Sequence, residues 1–140
     1  MIPESKLTLM TVVYGLNVFW AGVPGLLITF FPGFAQRQML PYMVGNVPQD
    51  MLTVRILGSI WLAVGLVSLF GLVNPLPVAG VFVVQILYKV LWIGVAVVPM
   101  LMRGETRALP LARGFVVMIL AATLAAPWRF LLGDAAAEGA

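Results

Sequence analysis

The sequence predicts an all-α integral membrane protein, folded as a bundle of four transmembrane helices. Of the 140 residues, 62% are hydrophobic and 9% are charged, and the mean hydropathy is +1.08. Soluble domains carry about 25% charged residues, so this composition excludes an ordinary soluble domain. The apolar residues fall into four stretches, each long enough to cross a bilayer as a helix. We therefore expect a single membrane domain over residues 1–140.

The first apolar stretch covers residues 7–31 and is predicted as the first span. Pro24 removes a backbone donor and crowds the preceding turn, so we expect a kink that frees the carbonyl near Trp20. A signal peptide is a poorer interpretation, because the run is longer than the roughly 7–15 residues of a signal-peptide core and no cleavage motif follows it.

Residues 32–51 interrupt the helical pattern with three prolines and two glycines but stay apolar and aromatic. We predict an interfacial loop that contains a short helix, with Pro48 opening the next span. The side chains expected at the lipid headgroups are Phe34, Met39, Leu40, Tyr42 and Met43.

The second span is predicted over residues 52–73. Four small residues form one stripe along it, which allows another helix to approach closely. They are Gly58, Gly65, Ser68 and Gly71. Trp61 lies deeper in the span and is interpreted as a core aromatic residue whose indole N–H needs an acceptor.

The third span, residues 76–102, follows so short a link that spans two and three should be antiparallel neighbours. The fourth span is predicted over residues 110–132, beginning at Pro110 and continuing past a kink at Pro127. Small residues also give this span a surface for close packing. Residues 133–140 are expected to form a mobile tail.

Lys89 lies near the middle of the third span. A lysine at the bilayer centre costs roughly 2.5–3.5 kcal/mol, so its side chain should face protein, water or a bound group. Gln85, Tyr88 and Trp92 lie at −4, −1 and +3 from it and share its side of the helix. These four residues form the centre of the candidate ligand- or partner-binding site.

The first span contributes the two remaining candidate residues, Asn17 and Tyr14. Asn17 lies near the middle of that span, about one turn from Tyr14, and is the expected polar partner of Lys89 on another helix.

Lys89 has no carboxylate partner within the predicted spans, because all five acidic residues lie outside them or at their edges. Three possibilities remain open. The lysine is neutral, it is solvated by polar neighbours and water, or its counter-ion comes from outside. An external counter-ion would be an anionic ligand, a lipid phosphate or an acid on another subunit.

The chain contains no cysteine and no histidine, which excludes disulfides, thiol chemistry, the usual zinc sites and histidine-based catalysis. We expect no catalytic residues, no metal site and no intrinsic cofactor, so the chain is not expected to be an enzyme. The net charge of +3 is spread along the chain and indicates no nucleic-acid surface.

The basic residues of the loops and span edges predict the orientation. Arg37, Arg55, Arg103, Arg107 and Arg113 fall on one side, against Lys6 and Arg129 on the other. By the positive-inside rule, both termini should lie on the non-cytoplasmic side of a bacterial inner membrane.

The sequence also resembles a known group between about residues 50 and 100. Residues 55–61 (RILGSIW), the Gly-Leu pairs at 65–66 and 71–72, and residues 85–92 (QILYKVLW) look like small bacterial four-span membrane proteins, broadly the DoxX-like group. For some DoxX-type proteins, the resemblance implies association with a quinone-linked membrane oxidoreductase. Since this chain lacks cysteine and histidine, only an accessory role is implied for it.

The leading hypothesis is a non-catalytic accessory or scaffold subunit that packs with itself or with a larger membrane complex. It would bind a lipid, a quinone or another lipophilic molecule near Lys89. The rival is a small oligomeric transporter in which Lys89 binds an anionic substrate. An enzyme that acts on a lipid, with Lys89 as base or Schiff-base former, is a distant third. Transport requires Lys89 to face an internal cavity, whereas a partner anchor would lie on an exposed helix face.

Overall fold

A computed structural model describes residues 2–45 and 49–133, and within these ranges the regular structure is entirely helical. The helices are α1 (Glu4–Phe30), α2 (Pro32–Gln38), α3 (Leu40–Val44), α4 (Met51–Val73), α5 (Gly80–Met102), α6 (Leu109–Ala125) and α7 (Trp128–Leu132). Three of them, α1, α4 and α5, are long and apolar enough to cross a membrane, whereas α6 has 17 residues. The all-helical class is confirmed. The predicted helix entry at Pro48 and the tail from residue 134 lie outside the described residues.

The two long helices that contain a proline each widen into a π-helical turn just before it. In α1 the turn Val18–Gly22 precedes Pro24, and in α5 the turn Ile93–Val97 precedes Pro99. A proline inside a helix lacks an N–H and crowds the carbonyl four residues earlier, and a widened turn gives that carbonyl room. The helix α1 therefore continues through Pro24 as far as Phe30.

Helices α1 and α4 pack closely and antiparallel through glycine. A Cβ added to Gly65 would overlap the backbone of Gly22, and one added to Gly71 would lie 2.7 Å from the ring of Tyr14. Because the contacts move down α1 as they move up α4, the two helices run in opposite directions. The predicted small-residue face of α4 thus admits a helix of the same chain.

The expected neighbours α4 and α5 do touch, but each packs more extensively on another helix, α4 on α1 and α5 on α6. A groove of about 480 Å³ lies between α4 and α5, lined by side chains that include Val64 and Val81. The short link joins the two helices at one end, whereas the glycines of α4 decide where its close contact forms.

The fourth apolar stretch breaks at Pro127, as predicted, and the break is complete. Ala126 adopts an extended conformation (φ −56°, ψ 129°), which is typical of a residue before proline. The Trp128 indole N–H donates to the Thr123 carbonyl at 2.9 Å, so the chain folds back on α6 before α7. The helical part, α6, is about 25 Å long instead of reaching Leu132.

The segment after α1 forms two short helices, α2 and α3, instead of one. Phe34 and Tyr42 are exposed, in keeping with the predicted surface position. Leu40 is 5% exposed and Met43 lines internal space, so these two side chains do not face outward as predicted. They cover an apolar groove that opens next to α4 and α6.

The bundle has two distinct ends. The N-terminal end carries the start of α1, the α4–α5 link and the end of α6, where the Lys6 ammonium donates to the Leu124 carbonyl. The loop end carries residues 31–45 and 103–108. Helix direction places Lys6 and Arg129 at the N-terminal end, and the five remaining arginines at the loop end.

Candidate functional site

Lys89 lines a partly open cavity where α1, α4, α5 and α6 meet. Lys89 is only 3% exposed. The cavity has a volume of about 120 Å³. Each of the four helices contributes to the walls, through Trp20 of α1, Trp61 of α4, Gln85 of α5 and Phe115 of α6. The lysine therefore does not lie on an exposed helix face.

The contacts of Lys89 are polar or aromatic, and none of those in the described residues is with a carboxylate. Its Nζ donates to Gln85 Oε1 at 2.5 Å, and it lies 4.7 Å from the ring centroid of Tyr88 and 5.5 Å from that of Phe115. The ion pairs found in the described ranges are confined to residues 103–107 at the loop end. An amide and two ring faces thus provide the surroundings of this cation.

Two buried donors at the same cavity lack a hydrogen-bond acceptor. The amide oxygen of Gln85 accepts from Lys89. Its amide nitrogen, Nε2, has no hydrogen-bond partner. The indole N–H of Trp61 lies near the Tyr88 hydroxyl but forms no hydrogen bond of ordinary geometry. An unsatisfied buried donor costs about 1–3 kcal/mol, so these groups indicate a site that an acceptor would complete.

The helices position this donor set by simple local rules. One helical turn separates Gln85 from Lys89, so their side chains meet on one face of α5. The π-helical turn of α1 places Trp20 and Ala21 against the cavity. On α6, a Cβ added to Gly114 would meet nothing within 4 Å. The missing side chain at Gly114 leaves part of the cavity open.

A second, larger space adjoins the cavity on the side of the loop end. It is a groove of about 330 Å³, lined mainly by apolar side chains of α3 and α4. Cavity and groove share five wall residues, Met43, Trp61, Tyr88, Leu111 and Phe115. The cavity and the groove therefore lie next to each other.

Phe115 is the centre of an aromatic cluster at the junction of cavity and groove. Its ring centroid lies 6.1 Å from that of Trp61, 6.0 Å from that of Tyr88 and 5.1 Å from that of Trp92. All three pairs meet edge to face, which is a favourable aromatic geometry. This cluster fixes the shape of the junction.

The structure brings together most, but not all, of the residues predicted for the site. Gln85, Tyr88 and Lys89 line the cavity, and Trp92 lines the groove. The expected pairing of Lys89 with Asn17 is not observed.

Asn17 is fully buried and faces α4 instead of Lys89. Its Nδ2 donates to the Ser68 hydroxyl at 3.2 Å, and its Oδ1 has no partner. The close approach of α1 to the glycine stripe of α4 turns this part of α1 towards Ser68. Asn17 therefore joins α1 to α4.

Tyr14 also lies away from the cavity. Its hydroxyl donates to the Pro75 carbonyl at 2.6 Å, and its ring stacks on Phe82 with centroids 4.7 Å apart. Both residues are 0% exposed. Together they close the N-terminal side of the bundle interior.

Sequence reasoning missed the contributions of α1 and α6 to the cavity, above all Phe115 and Trp20. An apolar residue in an apolar helix gives no signal of its own, because its role depends on how the helices rotate against each other. Trp61 did give one, since a buried indole N–H needs an acceptor.

No protein-family model, curated protein or solved structure matches this chain. The resemblance to the DoxX-like group therefore stays a prediction.

Proposed function

We propose that the chain is a four-span, non-catalytic protein of the bacterial inner membrane that binds a lipophilic molecule in the cavity beside Lys89. It serves as an accessory or scaffold subunit of a larger membrane complex, and the DoxX-like resemblance favours an electron-transfer complex. The observation that carries the proposal is the group of Lys89, Gln85 and Trp61 in the cavity wall, in which Gln85 Nε2 and Trp61 Nε1 are buried without an acceptor.

The shape and lining of the internal space support ligand binding. Small-molecule sites are mostly apolar clefts of roughly 300–1,000 Å³ with a few convergent polar groups. The groove alone has about 330 Å³ and adjoins the cavity that carries the polar groups. A molecule with an apolar body and one acceptor group fits this arrangement.

The outer surface supports membrane insertion of all four long helices. Large apolar side chains are exposed on each of them, for example Phe19 (67%), Phe70 (71%), Val95 (76%) and Leu124 (65%). Monomeric soluble proteins rarely expose such continuous apolar surface. The fourth span, α6, is about 25 Å long, and a bilayer adapts to a span a few ångströms short by local thinning.

The accessory role is supported by the chemistry available and by the position of Lys89. With no cysteine or histidine and no acid inside the spans, the chain offers few groups for catalysis. Because Lys89 is 3% exposed, it serves a ligand inside the chain and does not pair with an acid on the surface of another subunit. Contact with a partner would use the exposed apolar faces.

The rival, an oligomeric transporter for an anionic substrate, is favoured by one observation, the internal cavity at Lys89. The packing of the N-terminal side argues against it in a single chain. Met10, Tyr14 and Phe82 are each 0% exposed and fill the bundle between the cavity and that end. Transport would require this layer to open.

Purification from native membranes in a gentle detergent, followed by mass spectrometry of co-purifying proteins and lipids, tests the proposal. Wild type should carry a lipophilic molecule and partner proteins, and Lys89→Met should lose the small molecule. Lys6→Met is the matched control. It removes the other lysine of the chain, which lies at the N-terminal end and away from the cavity, and it should behave as wild type. A wild-type protein that runs alone with nothing bound contradicts the proposal, and uptake of anionic substrates into proteoliposomes then tests the rival.

A further inference from the structure

We propose that the bound molecule is a long-chain carboxylate, a fatty acid, with its carboxylate on Lys89 and its chain in the groove. This inference rests on the proposed function and names its ligand class. It is carried by the buried ammonium, the two orphaned donors beside it, and the size and direction of the adjoining spaces.

Charge selects an anion over a neutral acceptor. Within the described residues no carboxylate pairs with Lys89, and in the whole sequence the five acids lie outside the spans or at their edges. A neutral carbonyl would satisfy one donor and leave the buried ammonium uncompensated. A carboxylate supplies the opposite charge and forms the stronger, charge-assisted hydrogen bond.

The number of donors also fits a carboxylate. Its two oxygens offer about four acceptor positions. Lys89, Gln85 Nε2 and Trp61 Nε1 provide donors from two helices around one cavity, and the latter two have no partner. A carboxylate that pairs with the lysine would still have acceptor positions left for these two groups.

The volume of the cavity limits the size of the headgroup. The cavity has a volume of about 120 Å³. We place the carboxylate and its nearest methylene groups there, and a single acyl chain continues from this headgroup into the groove.

The adjoining groove determines the direction of the ligand's acyl chain. On the N-terminal side, the stacked rings of Tyr14 and Phe82 fill the interior. On the side of the loop end, the groove of about 330 Å³ begins at walls that it shares with the cavity and continues past Leu57 and Leu40. An acyl chain would lie there against apolar side chains.

A comparison of an acid and an alcohol with the same brominated chain tests the headgroup. The delipidated protein in detergent is titrated with 9,10-dibromostearate and with 9,10-dibromostearyl alcohol, and binding is measured by quenching of tryptophan fluorescence. Wild type should bind the acid about tenfold or more tightly than the alcohol, since a hydrogen bond to a charged group is worth about 1.5–3 kcal/mol. In Lys89→Met the two affinities should become equal, with that for the alcohol unchanged.

The same titration locates the brominated acyl chain of the probe. Trp92 lines the groove, whereas Trp128 lies at the N-terminal end. Trp92→Phe should therefore lose part of the bromine quenching, and Trp128→Phe should retain it. The reverse pattern would contradict a chain in the groove.

The outcomes separate this inference from the proposed function. Equal affinity for acid and alcohol in wild type overturns the carboxylate but leaves binding of a lipophilic molecule in place. If neither probe quenches wild type, the carboxylate and the proposed binding function both fail.

Discussion

Lys89 is a buried lysine whose amine donates to the amide oxygen of Gln85. An amide offsets only part of the cost of removing an ammonium group from water. A lysine in such a position is expected where it is needed to bind a ligand and not to stabilise the fold.

Replacement of this lysine should therefore stabilise the empty protein. We predict that Lys89→Met, which keeps the approximate length of the side chain and removes the charge, raises the free energy of unfolding by up to about 2 kcal/mol. This is the cost of the buried charge less the cost of leaving Gln85 Oε1 without a donor. Unfolding of delipidated protein in mixed detergent measures it, with Lys6→Met as a control that should change little. A destabilised Lys89→Met would mean that the bond to Gln85 outweighs the cost of the buried charge.

At the start of α4, Asp50 caps the helix. Its Oδ2 accepts from the Thr53 backbone N–H at 2.8 Å and from the Thr53 hydroxyl at 2.9 Å. These hydrogen bonds hold the pKa of the Asp50 carboxyl below its ordinary value of 3.8, and the bond from the Thr53 backbone N–H has the larger effect. The stabilisation is thus present above pH 3.8 and is lost as the pH falls through the lowered pKa.

A ¹³C NMR titration of Asp50 should accordingly give a midpoint below 3.8. Thr53→Val removes the hydroxyl donor and should move the midpoint upward, while the backbone donor keeps part of the effect. A midpoint at or above 3.8 in the wild type would show that the cap does not form.

The sequence predicted the part of the site that lies on one helix and missed the part between helices. Gln85, Tyr88 and Lys89 have fixed spacings on α5, so their common location followed from helix geometry. Asn17 and Phe115 depend on the rotation of α1 and α6 about their axes. Weak apolar periodicity does not determine that rotation.

At the scale of elements, the contact between α1 and α4 is set by glycine. Gly65 and Gly22 lie so close that no Cβ fits between the two backbones. The sequence indicated the glycine stripe of α4 but not which helix it would meet, because any helix can approach a small-residue face.

We predict that Gly65→Ala destabilises the protein by about 1–3 kcal/mol, because the added methyl group forces α1 away from α4. Gly94→Ala is the matched control. Gly94 also lies in a long helix, and a Cβ added there meets nothing within 4 Å. Thermal unfolding of both variants in the same detergent measures the difference. Equal stabilities would contradict the close packing of α1 on α4.

At the scale of the whole molecule, four apolar stretches were visible in the sequence, whereas their arrangement was not. The short link between α4 and α5 predicted that they are neighbours, yet the more extensive contacts are those of α1 with α4 and of α5 with α6. A link constrains only one end of a helix pair, and side-chain packing decides the rest.

The distribution of charge between the two ends predicts the orientation of the molecule. Both Ser5 and Thr106 are exposed, Ser5 at the N-terminal end and Thr106 at the loop end, and the chain has no cysteine of its own. With five arginines at the loop end, we expect a membrane-impermeant maleimide to label Ser5→Cys from outside intact spheroplasts. Thr106→Cys should be labelled only after the membrane is opened. The opposite pattern would reverse the orientation.

A ligand that binds in the cavity at Lys89 should be excluded when a larger side chain fills that cavity. Gly114 lines the cavity and a Cβ added there meets nothing within 4 Å, so we expect a leucine at this position to fill the cavity. Gly94 lies on an exposed helix face and serves as the control. Native mass spectrometry should find one ligand on each chain of wild type and Gly94→Leu, and none on Gly114→Leu, with thermal unfolding confirming that both variants fold. If folded Gly114→Leu keeps the same ligand at the same occupancy, the molecule does not bind in this cavity and the account is contradicted.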